Sequence, residues 1–472
     1  MRFRFLIILL FFSLTGLAQT RWSLEKCLNY ARENNLSLKQ AELDVKLAEI
    51  DYKNAKEQVL PAINAGSSAY WNYGLTQNLT TGILENQTVF GNTVRLNADM
   101  PLFQGFGLHF NKQLAQSNSW LSKYRFRNKQ KEIEINITNA YLQVLMSHEA
   151  LRAAESQWEA GLAQVKKMKE LVSSGVRPQS DLKDMEAQAA QDYFNWIRTK
   201  NDLNLSLMHL ARLLELDEVK NFDIDTDPDH FPVNEALLLK NAELLFEEHI
   251  TKMPEYLISV SQKNLLKKQL KFTKSAYYPS VSFFLSWNSR YMNREKIIGM
   301  ELDPDQPYRV IGMTETTHEN VLAPNFRPVT GPPDPYFTQL KNFSGTAFGF
   351  SINFPLFNRF QVRRRVQKAE IEVEKADMRI RQQVKELRHR IYQLHADATN
   401  AREKERAALK SKEAAEIAYR YAQEKLKAGL ISPYELENIK SRKIQAETNY
   451  INAKYEYLLK LKLLELTLKS YE

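Results

Sequence analysis

Catalysis or metal binding needs clustered His, Cys, Asp or Glu, and the nearest approach in this chain is Asp223, Asp225, Asp227 and Asp229. They alternate as calcium ligands do, but the central glycine and distal glutamate of an EF-hand loop are missing. A polar connector is the reading adopted for residues 217–234. The eight histidines form no i, i+4 metal-binding pair, and His389 and His395, six apart, fall on different helix faces. No Gly-rich phosphate loop or nucleophile elbow is present. The chain reads as a non-enzyme with no cofactor and no metal. The remaining polar residues of interest flank two turns. Asp181 and Asp184 follow Ser173-Ser174-Gly175-Val176-Arg177-Pro178, and Glu435 and Asn438 follow Gly429-Leu430-Ile431-Ser432-Pro433. Ser432-Pro433-Tyr434-Glu435 has the form of a capping box with proline at N1, so Glu435 has a structural use at hand.

Those turns join long helices. From Gln361 to Ala428 no proline or glycine intervenes, and Val366, Ala369, Val373, Ala376, Ile380, Val384, Leu387, Ile391, Leu394, Ala398 and Ala401 recur in steps of three and four. That is a coiled-coil stripe on a helix of nearly 70 residues, roughly 100 Å at ~1.5 Å per residue. A similar helix spans 108–172, with Ile137, Val144, Leu151, Trp158, Leu162 and Val165 as buried candidates. Shorter helices are expected over 22–34, capped by Ser23, and over 37–58, ended by Pro61.

Strands precede each long helix. Residues 63–73 and 93–103 read as strands, and Phe348-Gly-Phe350-Ser-Ile352-Asn-Phe354 alternates large apolar residues with small polar ones. The programme is duplicated. Pro101-Leu-Phe recurs as Pro355-Leu-Phe, and Gly175 as Gly429, both 254 residues later, while Leu36 and Pro61 recur as Pro254 and Pro279 after 218. The 36-residue difference falls in a long segment, 289–346, containing Gly331-Pro332-Pro333-Asp334-Pro335. This Pro-rich run is an extended outer loop or, alternatively, a docking peptide. The halves are 19–216 and 235–472.

With 65 basic and 56 acidic residues the net charge is +9, which a solvated helical surface explains, and nucleic acid is not an expected partner. Arg2 and Arg4, the apolar run 6–12 and Gly16-Leu17-Ala18 read as an export signal over 1–18. The only cysteine, Cys27, excludes an intrachain disulfide, and no later segment holds the ~18 apolar residues of a spanning helix.

Each half supplies two strands and a helical hairpin. Four strands cannot stand alone in lipid, because their edge N–H and C=O groups would be unpaired, and the smallest barrels have eight. The expected answer is a ring with cyclic symmetry; two copies give eight strands and three give twelve. On this reading Phe348, Phe350, Ile352, Phe354, Val281, Phe283, Leu285, Trp287, Val94 and Leu96 face acyl chains, while Ser282, Ser286, Asn97, Asp99 and Asn353 face water. A soluble sandwich is the alternative, and a non-conducting periplasmic adaptor or a soluble rod the alternative functions.

The chain resembles TolC-family outer-membrane efflux proteins over its mature length. The matching residues are Ser23-Leu24-Glu25 through Glu33-Asn34-Asn35, Pro61, both Pro-Leu-Phe junctions, Leu171-Val-Ser-Ser-Gly175 with Asp181-Leu182, and Leu426-Lys-Ala-Gly429 with Glu435-Leu436. The resemblance implies a mainly α chain with a small β portion. Long antiparallel coiled-coil hairpins would build an α-barrel, and four strands per chain a trimeric 12-stranded transmembrane β-barrel. It implies a homotrimer in the outer membrane of a Gram-negative-type bacterium, with its tunnel in the periplasm. The partners implied are a periplasmic adaptor (membrane fusion) protein, an inner-membrane transporter of RND, ABC or MFS type, and outer-membrane lipid. Such proteins are exit ducts of tripartite efflux or type I secretion systems. Glu435 and Asn438 fall where some relatives have two aspartates, so the resemblance makes these, with Asp181 and Asp184, candidates for a periplasmic gate. Gly175, Val176, Arg177, Gly429, Leu430 and Ile431 are the candidates for adaptor contact. Leu36 stands where the family often has proline.

Overall fold

A computed structural model describes residues 21–77, 84–217, 222–226, 231 and 233–471. The export signal, part of the polar loop after the first strand, and Asp227 and Asp229 lie outside the described residues. The first half contains α1 (Leu24–Asn34), α2 (Leu36–Glu57), β1 (Ala62–Gln77), β2 (Leu84–Gln104), α3 (Gly107–Ser173) and α4 (Gln179–Leu213). After α5 (Ala242–His249) the second half runs α6 (Pro254–Ser275), β3 (Ser280–Met292), β4 (Lys296–Leu302), β5 (Tyr308–Met313), β6 (Asn320–Pro324), β7 (Phe326–Gly331) and α7 (Tyr336–Asn342). It closes with β8 (Gly345–Asn353), α8 (Gln361–Lys427) and α9 (Pro433–Leu468). The duplication is metrical: α3 and α8 are each 67 residues, and α2 and α6 each 22.

The chain divides into a helical unit, comprising residues up to Asp51, Ala115–Lys267 and Ile371 onward, and a second unit of Tyr52–Leu114 and Lys268–Glu370. In the helical unit Ser23 caps α1 by accepting from Lys26 N at 3.2 Å, so the helix starts two residues later than expected. Trp22 instead pairs with the connector: its N–H donates to Asp223 O and its carbonyl accepts from Asp225 N, both at 3.0 Å. Phe222, Ile224 and Phe231 enter the core formed by α1, α3 and α4, and Tyr141 donates its hydroxyl to Asp225 O at 2.9 Å. The segment expected to be a polar connector is thus half core, because its apolar residues interleave the aspartates. Cys27 is fully buried in that core, and burial pushes its thiol up to about 12.

Every residue of the α8 stripe is buried or half-buried, as a seam requires. On α3 the expectation holds for Ile137 and Val144 but not for Leu162, which is exposed. Trp158 stacks on Trp196 of α4 at 4.8 Å, leaving Tyr193, Phe194 and Ile197 exposed beside it.

The C-terminus is tied to α3 through one carboxylate. Glu134, only 2% exposed, accepts from Arg32 Nη2 at 2.8 Å, from Lys469 Nζ at 3.0 Å and from the Tyr471 hydroxyl at 3.0 Å. Burial pushes its pKa up, but the hydrogen bonds from Arg32 and Lys469 outweigh that and hold it below the ordinary glutamate range. A depressed carboxylate stabilises the fold fully above its unfolded value of about 4.3, and the contribution fades as pH falls through the lower folded value. Glu134→Gln is expected to cost about 2 kcal/mol at neutral pH, because Arg32 and Lys469 stay partly exposed and can rehydrate. Thermal melts of the two proteins from pH 7 down to about 3 check this; the gap between them should close only below about 4.

In the second unit β1, β2, β3 and β8 form an antiparallel sheet in that order. The segment expected to be an extended loop is built: β4 pairs with β7 and β5 with β6 in two two-stranded sheets. They are joined into a ribbon where Asn325 accepts from Asp303 N at 2.8 Å and donates to Pro307 O at 2.9 Å, and α7 comes after it. The Pro-rich run leads directly into α7, with Pro335 at its N-cap. Proline has no N–H and fits where a helix begins. Among the described residues no helix is long and apolar enough to cross a membrane.

Candidate functional site: an apolar sheet face and two helix-turn tips

Residues directly opposite one another in an antiparallel pair share a face. The register sets Val281 opposite Ile352, Phe283 opposite Phe350 and Leu285 opposite Phe348. It also sets Leu96 opposite Trp287, with Val94 two residues further along β2. The strand residues assigned to an apolar band therefore converge on one face of the sheet, and Phe354 stands just beyond β8. On that face Phe348, Phe350 and Ile352 are well exposed. The opposite face carries Asn97, Asp99, Ser282, Ser286 and Ser351, with Ser286 donating to Asn97 Oδ1 at 2.8 Å. Phe284 is the exception; its ring occupies the space above Gly349, where a Cβ would sit 3.2 Å away.

Aromatic rings flank the band at both ends. At one, Trp71, Phe90, Tyr291 and Tyr336 form a chain of contacts with centroids 4.9, 6.2 and 5.1 Å apart. At the other, Phe103 meets Phe106 at 5.2 Å, and Phe106 meets Tyr278 at 6.5 Å. Val281 and Tyr291 lie ten residues apart on β3. That is about 33 Å at ~3.3 Å per residue, or about 25 Å along the normal for a strand tilted ~40°. That height matches the apolar belt of about 25 Å that lies between aromatic girdles on transmembrane barrel walls.

The two tips share three backbone hydrogen bonds. Ser174 N donates to Glu170 O, Gly175 N to Val172 O and Val176 N to Leu171 O; the same three bonds recur at Ala428, Gly429 and Leu430. Both glycines have φ of +71°, the left-handed conformation that ends a helix and that a side chain would strain. This leaves Val176 and Leu430 projecting into solvent, with Arg177 and Ile431 half-buried. The tips differ in how the return helix starts. Glu435 completes a capping box, donating its N–H to Ser432 Oγ at 3.2 Å and accepting from Ser432 N at 3.0 Å. The first tip has Pro178 at the N-cap and no side-chain cap. Asp181 there lies 3.8 Å from Arg177, and Asp184 and Asn438 are exposed.

Sequence reasoning missed a buried ion pair near the tips. Lys440 of α9 and Asp192 of α4 are 3% and 4% exposed, with Nζ 3.8 Å from Oδ2. Glu437 Oε2 lies 3.5 Å from the same ammonium, and Gln157 and Gln188 donate to Asp192 at 3.1 and 3.0 Å. The ammonium itself makes no hydrogen bond among the described residues. The signal was present: Lys440 stands one turn after buried Leu436, and Asp192 three residues after buried Ala189, each on an apolar stripe where a charge is out of place.

The comparisons agree with this geometry. Residues 27–215 and 263–468 match the model of the outer membrane efflux protein family. The fold is similar to that of CusC, whose reported structures concern folding and transmembrane channel formation, at 14% identity over 95% of this chain and 92% of that one, with a TM-score of 0.73. It is likewise similar to the outer membrane protein VceC of Vibrio cholerae (13% identity, 95% and 97% coverage, TM-score 0.70). The CmeC outer membrane channel of Campylobacter jejuni is a third (14%, 94% and 85%, TM-score 0.70). Among curated proteins none matches. Two duplicated hairpins, a one-sided apolar sheet and a family match across both halves lead to one assignment: the chain belongs to the outer membrane efflux protein family.

Proposed function

We propose that the protein is the passive exit duct of a tripartite efflux or type I secretion system. Three copies complete a barrel in the outer membrane, and solutes arrive from an inner-membrane transporter through a periplasmic adaptor. The observation that carries this reading is the four-stranded sheet, which has one apolar face and, among the described residues, no strand on the outer edge of β1 or β8. Backbone groups on such edges need partners in lipid, and further copies of the same sheet supply them. Exposed apolar residues on helices of the other unit support the same assembly: Leu43, Leu47 and Ile50 on α2, and Tyr193, Phe194 and Ile197 on α4. Such stripes are faces prepared for a neighbouring helix.

On this reading Val176, Arg177, Leu430 and Ile431 meet the adaptor, with Gly175 and Gly429 shaping the turns. Glu435 has two roles, as helix cap and as one member of a ring of carboxylates at the constriction. Single-channel recording in planar bilayers tests the duct: the purified protein should give discrete conductance steps with cation preference. Glu435→Gln should reduce that preference while conductance remains, since an amide still accepts from Ser432 N but carries no charge. Selectivity identical to the parent protein would leave Glu435 with the cap alone.

A further inference from the structure

We infer that the ribbon β4–β7 is a strap by which each copy grips the next copy in the ring, outside the membrane. The inference rests on the cyclic assembly proposed above. Three observations carry it. First, β1 is 16 residues long but β8, the strand that must meet the neighbour's β1, has only 9. Whatever the register, about half of the neighbour's β1 edge receives no strand from β8. Nor can β3 help, because α7 occupies the β3 edge beyond the end of β8. There Met292 N donates to Gln339 Oε1 and Gln339 Nε2 donates to Met292 O, both at 3.0 Å.

Second, the outer half of β1 is greasy beyond what its own chain covers. Beyond Trp71 of the girdle, Tyr73 and Leu75 lie on the face shared with the band and are 76% and 64% exposed. Third, the ribbon carries a matching surface. Its register places Met300, Leu302, Phe326, Tyr308, Val310 and Leu322 on one side, all exposed. The other side mixes Val321, Ala323 and Val329 with Arg309 and the Glu301–Arg327 ion pair, whose N···O distance is 2.7 Å. A two-stranded ribbon is marginal in water without an apolar face packed on something. In a heterologous ring the β3–β8 flank, from which the ribbon springs, adjoins the next copy's β1 flank, so the two apolar surfaces are neighbours and closure repeats the contact in every subunit.

Heat dissociation of the SDS-resistant oligomer of the full-length protein tests the strap. Charging its apolar side with Leu322→Asp and Phe326→Asp should lower the dissociation temperature by roughly 10 °C, while Arg309→Glu on the opposite side leaves it unchanged. Paired cysteines, Leu322→Cys with Tyr73→Cys, give a second readout: mild oxidation should link copies covalently, and neither single variant should. Native Cys27 is buried and does not compete. An intact oligomer that dissociates at the parent temperature and forms no cross-link overturns the strap but not the ring. If the charged variant instead loses only its binding to lipopolysaccharide vesicles, the ribbon is a lipid anchor and the inference fails. A parent protein that is monomeric before heating removes both the strap and the assembly it rests on.

Discussion

Phe350→Arg is expected to keep the protein out of the outer membrane, whereas Ser351→Arg, one residue further along β8, is expected to leave insertion intact. The two positions differ by one step in an alternating strand, which reverses the face. Phe350 sits opposite Phe283 in the middle of the apolar band, and their rings are 5.7 Å apart. A guanidinium there costs about 2–4 kcal/mol at the bilayer midplane, and a cyclic assembly incurs that cost once per copy. Ser351 faces Ser282 on the polar side, where a long basic side chain reaches water. Membrane fractionation with heat-modifiability on SDS gels distinguishes the pair. Equal insertion of both variants would mean that the band is not the lipid surface.

Asp192→Asn should open the end of the helical unit locally. It removes one of two carboxylates beside the buried Lys440 ammonium, leaving Glu437 at 3.5 Å and, among the described residues, no hydrogen bond to its protons. Breaking one side of a buried pair typically costs about 3–5 kcal/mol, whereas replacing both sides by neutral groups is often tolerated. Hydrogen exchange of the α9 amides around Lys440 should therefore accelerate by two to three orders of magnitude in Asp192→Asn, by roughly 1.4 kcal/mol per factor of ten. The double variant with Lys440→Met should recover most of the protection. Additive losses in the double variant would show that the two charges do not act on each other.

Much of this is legible in the sequence because the chain repeats itself. The 254-residue spacing of Gly175 and Gly429 foretells two tips with the same three backbone hydrogen bonds and the same φ. Period-two alternation from Phe348 to Phe354 fixes which side of β8 is apolar, and pairing then fixes β3 and β2. What stays hidden depends on contacts between distant segments. Asp223 and Asp225 give no sign that Ile224 between them is buried under α1 and α3, since two flanking charges mask one core residue. Leu162 looks like a buried stripe position, but a stripe shows only that a face is apolar, not that the same chain covers it. The ribbon β4–β7 reads as a loop because the Pro-rich run Gly331-Pro332-Pro333-Asp334-Pro335 dominates the segment, although its prolines follow β7, and the strands themselves hold others. Pro324 ends β6 and Pro328 sits in a two-stranded ribbon, where a missing N–H costs little.

The assembly itself is the claim on which the rest depends, and native mass spectrometry of the detergent-solubilised mature protein tests it most directly. A single species of three copies is expected, giving twelve strands from four per chain. A stable monomer that stays soluble without detergent would contradict it.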